Sequence, residues 1–190
     1  MLSINLKSLI GKLNPVCRAT LESAAGLCVS RTNYNVEIEH WLLKLLEHNQ
    51  TDLAAICRAY ELDVSKLTAQ LTRSLDRLKT GNARPPALSQ NVVDAARDAW
   101  LLASIDYGEA IARSSHLLLA LLGDDAMRSM ALAAANELEK ISVESLRRDL
   151  NSICKESDEA RAAPTATATA AGQPAAARPR LRPSISSRSI

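Results

Sequence analysis

Two stretches of this chain occur twice. Glu39-His40-Trp41-Leu42-Leu43-Lys44-Leu45-Leu46 lies against Ser115-His116-Leu117-Leu118-Leu119-Ala120-Leu121-Leu122 at an offset of 76, and Val64-Ser65-Lys66-Leu67 lies against Val143-Glu144-Ser145-Leu146 at an offset of 79. Two matches in the same order at nearly one offset outweigh either alone. The period is longer than that of solenoid repeats, so the pattern predicts duplication inside one domain rather than an open array. A chain of 190 residues suits one domain with a real core. Aromatic residues make up 3% and Phe is absent, so that core must be built from Leu, Ala, Val and Ile. Such a composition favours helices over strands, and six Gly are too few for a chain of hairpins.

The periodicity agrees. Leu2, Leu6, Leu9, Ile10 and Leu13 form a helical stripe over the first thirteen residues. Asn14 then caps a new helix with Pro15 at its first position. A third helix covers Glu37 to Glu47; Thr51 caps a fourth over Asp52 to Tyr60, and Asp63 caps a fifth through Leu67, Leu71, Leu75 and Leu78. Thr80-Gly81-Asn82-Ala83-Arg84-Pro85-Pro86 breaks the pattern. It then restarts with Ser89 as a cap, a helix opening at Ser114, one over Met127 to Asn136, and one capped by Ser142 and running to Cys154. The expected fold is all-α: a duplicated four-helix repeat with pseudo-two-fold symmetry plus an extra N-terminal helix. The divisions are 1–13 for that helix, 14–79 and 89–157 for the repeats, 80–88 for the linker between them, and 158–190 for a disordered tail.

The net charge of +2 conceals an asymmetry. Five of the 23 Lys and Arg lie beyond Ala160, where there is no acid; 18 remain against all 21 acids, a net of −3 for Met1–Glu159. A body of that sign lacks the basic stripe of a nucleic-acid-binding domain. The tail's Arg are separated by Pro and carry no stacking aromatics, which suits a solvated linker better than a single-strand binder. No apolar run reaches the roughly 18 residues of a membrane span, and polar residues interrupt the N-terminus where a signal peptide would be apolar. Cys17, Cys28, Cys57 and Cys154 include no C-x-x-C pair. Cys17 and Cys28, on one helix, would sit about 16 Å apart, too far for a disulfide. They read as small buried hydrophobes in a reducing cytosol.

No catalytic constellation emerges. The sole Gly-Lys pair, Gly11-Lys12, is followed by Leu13, and Leu6 stands where a phosphate-binding loop needs its first Gly. His40 and His48 make no metal-ligand pattern, and the repeat puts His40 and His116 at one structural position, as a duplicated structural histidine would be. Neither G-x-S-x-G nor a catalytic-cysteine signature occurs. No cofactor and no metal is expected. What remains is a binding surface. Docking the first helix would bury five side chains at about 2 kcal/mol each, against about 1–2 kcal/mol for each of some ten residues ordered. The balance is near zero, so the helix is free to move. Its other face carries Ile4, Ser8 and Gly11, spaced i, i+4, i+7 and small enough for a partner helix to approach closely. The plainer alternative is a helix that only closes the core.

The duplicated (E/S)-H-x-L-L-x-L-L unit resembles the Clp N-terminal domain, the double four-helix repeat at the front of Clp-type AAA+ unfoldases. The run Leu6-Lys7-Ser8-Leu9-Ile10-Gly11-Lys12-Leu13-Asn14-Pro15, with Ala24-Ala25-Gly26-Leu27-Cys28-Val29-Ser30-Arg31-Thr32, is similar to the ClpV-type ATPases of type VI secretion systems. The likeness covers about Met1 to Cys154. It implies a bacterial cytoplasmic recognition domain that binds the N-terminal helix of the larger sheath subunit, so that hexameric ATPase rings can take the contracted sheath apart. It implies that the extra N-terminal helix forms one wall of the peptide groove, with Pro86, Leu88 and Val92 on the other. The ATPase modules of that family are missing from this chain, which is expected to be a monomer by itself. Two alternatives stand: a general Clp-type N-domain receiving adaptors or unfolded chains, and a non-enzymatic helical module with another client.

Overall fold

Asn14 marks where the double repeat begins. Its backbone is extended, its side-chain oxygen accepts from the Cys17 N–H at 2.8 Å, and Pro15 follows at the first helical position. The computed structural model describes residues 5–162. Leu2, Ile4 and the basic segment 163–190 lie outside the described residues. Helices α1 (Leu6–Ile10) and α2 (Pro15–Ser30) come first, then strand β1 (Asn35–Val36) and helices α3 (Ile38–Leu46), α4 (Asp52–Ala59) and α5 (Val64–Leu75). Strand β2 (Ala87–Leu88) opens the second half, with α6 (Gln90–Ile105), α7 (Ser114–Gly123), α8 (Asp125–Ala134), a 3-10 helix at Asn136–Lys140, α9 (Val143–Cys154) and α10 (Asp158–Ala162).

The fold is helical and duplicated: α2 to α5 correspond in order to α6 to α9. Thr51, Asp63, Ser89 and Ser142 all cap helices through their side chains. Central α3 packs on α2 and α5, while its counterpart α7 packs on α6, α8 and α9. The halves join through α4 against α7 and α9, and through α5 against α8. Between them Trp41, Leu45, Leu71, Leu117, Leu118, Leu121 and Leu150 form a Leu-rich core with almost no exposure.

The structure departs from the sequence pattern in four places. Helix α1 is shorter than expected, because Asn5 caps it (Ser8 N–H to Asn5 Oδ1, 3.2 Å) and the chain leaves helical geometry after Gly11. Leu13 is extended and pairs in parallel with Ala112. Of the apolar stripe, Leu9 and Leu13 are buried and Ile10 half-buried, whereas Leu6 is 41% exposed. Helix α8 starts earlier than expected, because Asp124 accepts from the Met127 N–H at 2.9 Å, and the chain then tightens into the 3-10 helix. Residues 158–162, expected in the tail, form α10, and Glu159 within it is buried.

The two strands also follow the duplication. Parallel β1 and β2 match Val36 with Leu88, and the isolated bridge matches Ala112 with Leu13. In each case the residue two before the first helix of one repeat pairs with the residue two before the second helix of the other. The hydrogen bonds correspond: Asn14 N–H donates to the Ala112 carbonyl at 2.8 Å, and Ser89 N–H to the Val36 carbonyl at 3.0 Å. The repeats are thus reciprocally interlocked. Gly81, in the segment leading to β2, has φ +96, a left-handed conformation that favours glycine.

The duplicated histidines serve the helix starts. His40 Nδ1 accepts from the Glu37 N–H at 3.0 Å, and His116 Nδ1 from the Arg113 N–H at 3.1 Å. Each side chain reaches back to its N-cap, as in a capping box. An accepting Nδ1 puts the ring proton on Nε2. Burial lowers the pKa of His40 to about 4 and of His116 to about 3, with Arg31 and Arg113 adding repulsion. Both rings are neutral at ordinary pH. All four cysteines are free and buried, and burial raises their thiol pKa values.

Candidate functional site

Helix α1 lies against α6 and is fixed from below. Leu9 and Leu13 enter the core, and the Lys12 ammonium sits 5.2 Å above the Trp100 ring, within cation–π range. The outward face of α1 is open, with Ser8 and Gly11 both exposed. Gly11 has ordinary helical geometry (φ −63), and an added Cβ would meet the Ser8 carbonyl oxygen at 3.3 Å. A side chain here would crowd the carbonyls at the end of α1.

The three residues expected on the opposite wall differ in exposure. Leu88 closes β2 and is half-buried, and Pro86 just before it is half-buried too. Val92 is fully buried, within the first turn of α6 on its core side. It cannot present itself to a client and instead supports the helix from beneath. A stretch so near the start of α6 has one face inward, and Val92 shares that face with Ala95, Ala96, Ala99 and Ala103. Ser8 and Gly11 stand on one element; Pro86 and Leu88 stand on another, at the start of the helix that α1 packs on. Ile4 lies outside the described residues.

Lys12 and Trp100 were not among the expected site residues. Trp100 sits on the half-buried side of α6 with Val93, at helical spacing, so its pattern reads as core. Only the tertiary placement of α1 reveals its second neighbour.

A separate groove of about 320 Å³ lies at the other end of α6, between Leu101, Leu102, Ile105, Leu119 and Val143. Ile105 is 75% exposed there. The duplication gives it a counterpart of about 260 Å³ in the first repeat, between Leu27, Leu43, Leu46 and Leu75. Neither groove contains a residue of the α1 face.

Beneath the start of α2, a polar cluster is sealed in the interior. Glu159 accepts from Asn14 Nδ2 at 2.7 Å, from the Asp52 N–H at 2.9 Å and from the Ser114 N–H at 2.8 Å. Asp52 accepts from Ser115 Oγ at 2.6 Å and from Ser157 Oγ, and Arg113 Nη1 stands 3.3 Å from it. Burial, and then the charge of Glu159, raise the Asp52 pKa against the pull of Arg113. A carboxylate pair can signal acid–base chemistry. These carboxylates are all but inaccessible and saturated by helix N-termini and hydroxyls, so they work as structural capping groups. Among the described residues, no group of His, Cys, Asp and Glu could hold a metal ion, and no helix is long and apolar enough to cross a membrane.

Comparison with known proteins bears on this geometry. Residues 12–132 match the family described as the Clp repeat (R) N-terminal domain. The chain is 37% identical over 164 residues to the chaperone protein ClpB of Yersinia enterocolitica, and 32% identical over 146 residues to the AAA+ ATPase ClpV1 of Pseudomonas aeruginosa. Those alignments take in 86% and 77% of this chain but only 18% and 16% of the two relatives, so the chain spans less than a fifth of their length. Among solved structures, one from work on coevolution of the ATPase ClpV with the TssB-TssC sheath superposes with a TM-score of 0.80 at 31% identity, covering 84% of this chain and 98% of its own. A complex of a ClpV N-domain with VipB peptide superposes with a TM-score of 0.72 at 30% identity, covering 84% and 97%. With its duplicated helices, paired capping histidines and matched profile, the chain belongs to the Clp repeat N-terminal domain family.

Proposed function

We propose that this chain is the client-recognition domain of a ClpV-type unfoldase, and that it receives the N-terminal helix of the larger type VI sheath subunit between α1 and the start of α6. The observation that carries this reading is α1 itself: a short helix pinned to α6 by Leu9, Leu13 and the Lys12–Trp100 contact, with small exposed residues facing outward. Such a face admits a second helix at close range. The likeness to a ClpV N-domain bound to VipB peptide supports it. On this reading Ser8 and Gly11 touch the client, Pro86 and Leu88 border it, and Val92 only supports. The domain contributes recognition without turnover, acts in the bacterial cytoplasm, and is a monomer unless ATPase modules assemble it into hexamers.

Titration of the full chain with the VipB peptide tests this. Ser8→Glu and Gly11→Glu should each weaken binding at least about tenfold, the cost of placing a charge in a close helix–helix contact. Tight binding unaffected by both substitutions would overturn the groove assignment. The 37% identity to a ClpB favours a second reading, a general Clp-type domain for adaptors or unfolded chains. That reading expects many unrelated peptides to bind, with little loss when residues 1–13 are deleted.

A further inference from the structure

Glu159 lies past both repeats and past the matched family segment, yet it is 2% exposed. Its carboxylate meets the starts of three helices at once. Asn14 is the N-cap of α2, Asp52 is the first residue of α4, and Ser114 is the first residue of α7. Unpaired N–H groups and aligned dipoles at helix N-termini favour an anionic partner. The segment around Glu159 is fastened further. Ser157 Oγ donates to Asp52 and accepts from the Ala160 N–H at 2.9 Å, and the Asp158 N–H donates to the Gln50 carbonyl at 2.9 Å.

The contact to Asn14 matters most for α1. Its amide can point only one way: Oδ1 must accept from the Cys17 N–H, which leaves Nδ2 to donate to Glu159. The Asn14 N–H meanwhile donates to Ala112. All its polar contacts are thus fixed, one residue after Leu13 and three after Gly11. Asn14 is a fixed point of the chain just beyond α1.

We propose that Glu159 is a positioning residue for the client face: by holding the Asn14 amide it sets where α1 leaves the body, and so couples client binding on α1 to docking of segment 155–162. This rests on reading α1 as the client-binding element. Coupling between two sites is reciprocal. If releasing Glu159 weakens the client, then client binding must tighten the segment that carries Glu159. A purely structural role would lower global stability without that exchange between two particular segments.

Hydrogen exchange on the full chain, with and without saturating VipB peptide, decides the matter. In Glu159→Gln, amides from Leu9 to Asn14 should exchange about fivefold faster or more than in the wild type, at unchanged helical content. Peptide affinity should fall by about fivefold or more, the lower end of typical coupling. In the wild type the peptide should slow exchange in 155–162. Asn14→Ala should abolish that slowing while 155–162 stays protected through Asp52 and Ser114. Should Glu159→Gln fail to fold, Asn14→Ala carries the test alone. Unchanged exchange at Leu9–Asn14, or peptide protection of 155–162 that survives Asn14→Ala, overturns the proposal. If the wild type binds no peptide, the client reading fails, and the peptide-free exchange of Leu9–Asn14 still decides whether Glu159 positions α1.

Discussion

Arg113 is 3% exposed and has two carboxylates to satisfy. Its Nη2 lies 2.9 Å from Glu109 Oε1, and its Nη1 reaches Asp52. With Glu159 beside Asp52, a single guanidinium serves an interior that holds more negative charge than positive. Removing one partner of a buried ion pair leaves the other uncompensated, at a cost of about 3–5 kcal/mol. Arg113→Met should lower stability by about that much in urea unfolding at pH 8, and by less at pH 5. The sign follows from Asp52: its folded pKa is raised, so its contribution is fully present below about 3.8 and lost as pH rises through the raised value. Acidification lets Asp52 take up a proton in place of its lost partner. An unfolding midpoint that matches the wild type would refute this role for Arg113. Little of the cluster is legible in the sequence. Asp52 reads as a first-turn acid after the Thr51 cap. Glu159, however, lies among Ala and Arg where nothing periodic remains, and it meets Asp52 across more than a hundred residues.

At the level of helices, local chemistry carried most of the information. Asn14, Thr51, Asp63, Ser89 and Ser142 each place a short polar side chain against an N–H three residues on, and that spacing can be read directly. The two-residue strands carry no periodicity, and the 3-10 helix at Asn136–Lys140 is too short for one. Glu37 and Arg113 begin helices whose caps are instead reached by His40 and His116, a pairing visible only because the repeat aligns the two rings. Both rings have folded pKa values below 6.5, so their contribution to stability is full above about 6.5 and lost as pH falls toward about 4 for His40 and about 3 for His116. Thermal melts should therefore drop steadily from pH 7 to pH 4, against the smaller opposite trend from Asp52. His116→Gln keeps a side-chain acceptor for the Arg113 N–H but cannot take up the proton. Its loss of stability over that interval should be smaller than the wild type's by on the order of 1–3 kcal/mol. An identical pH slope would contradict the assignment.

Across the whole molecule, the repeats are held by more than their shared core. Glu137, in the second repeat, is buried and accepts from the Asp63 N–H of the first at 3.1 Å. Lys140 and Lys66, one from each repeat, hold its carboxyl well below the usual range. Together with the two reciprocal strand pairs, this makes neither repeat complete alone. Residues 1–83 and 84–190 produced as separate chains should each show little cooperative unfolding, yet recover one sharp transition and elute as a single complex when mixed. Two independently folding halves would refute the interlocked reading. The same pairing sets an order in time. On the ribosome, Val36 emerges long before its strand partner Leu88, and Leu13 before Ala112. The seams of the first repeat therefore stay open until Leu88 and then Ala112 are made, and the buried cluster around Asn14 closes only when Glu159 appears.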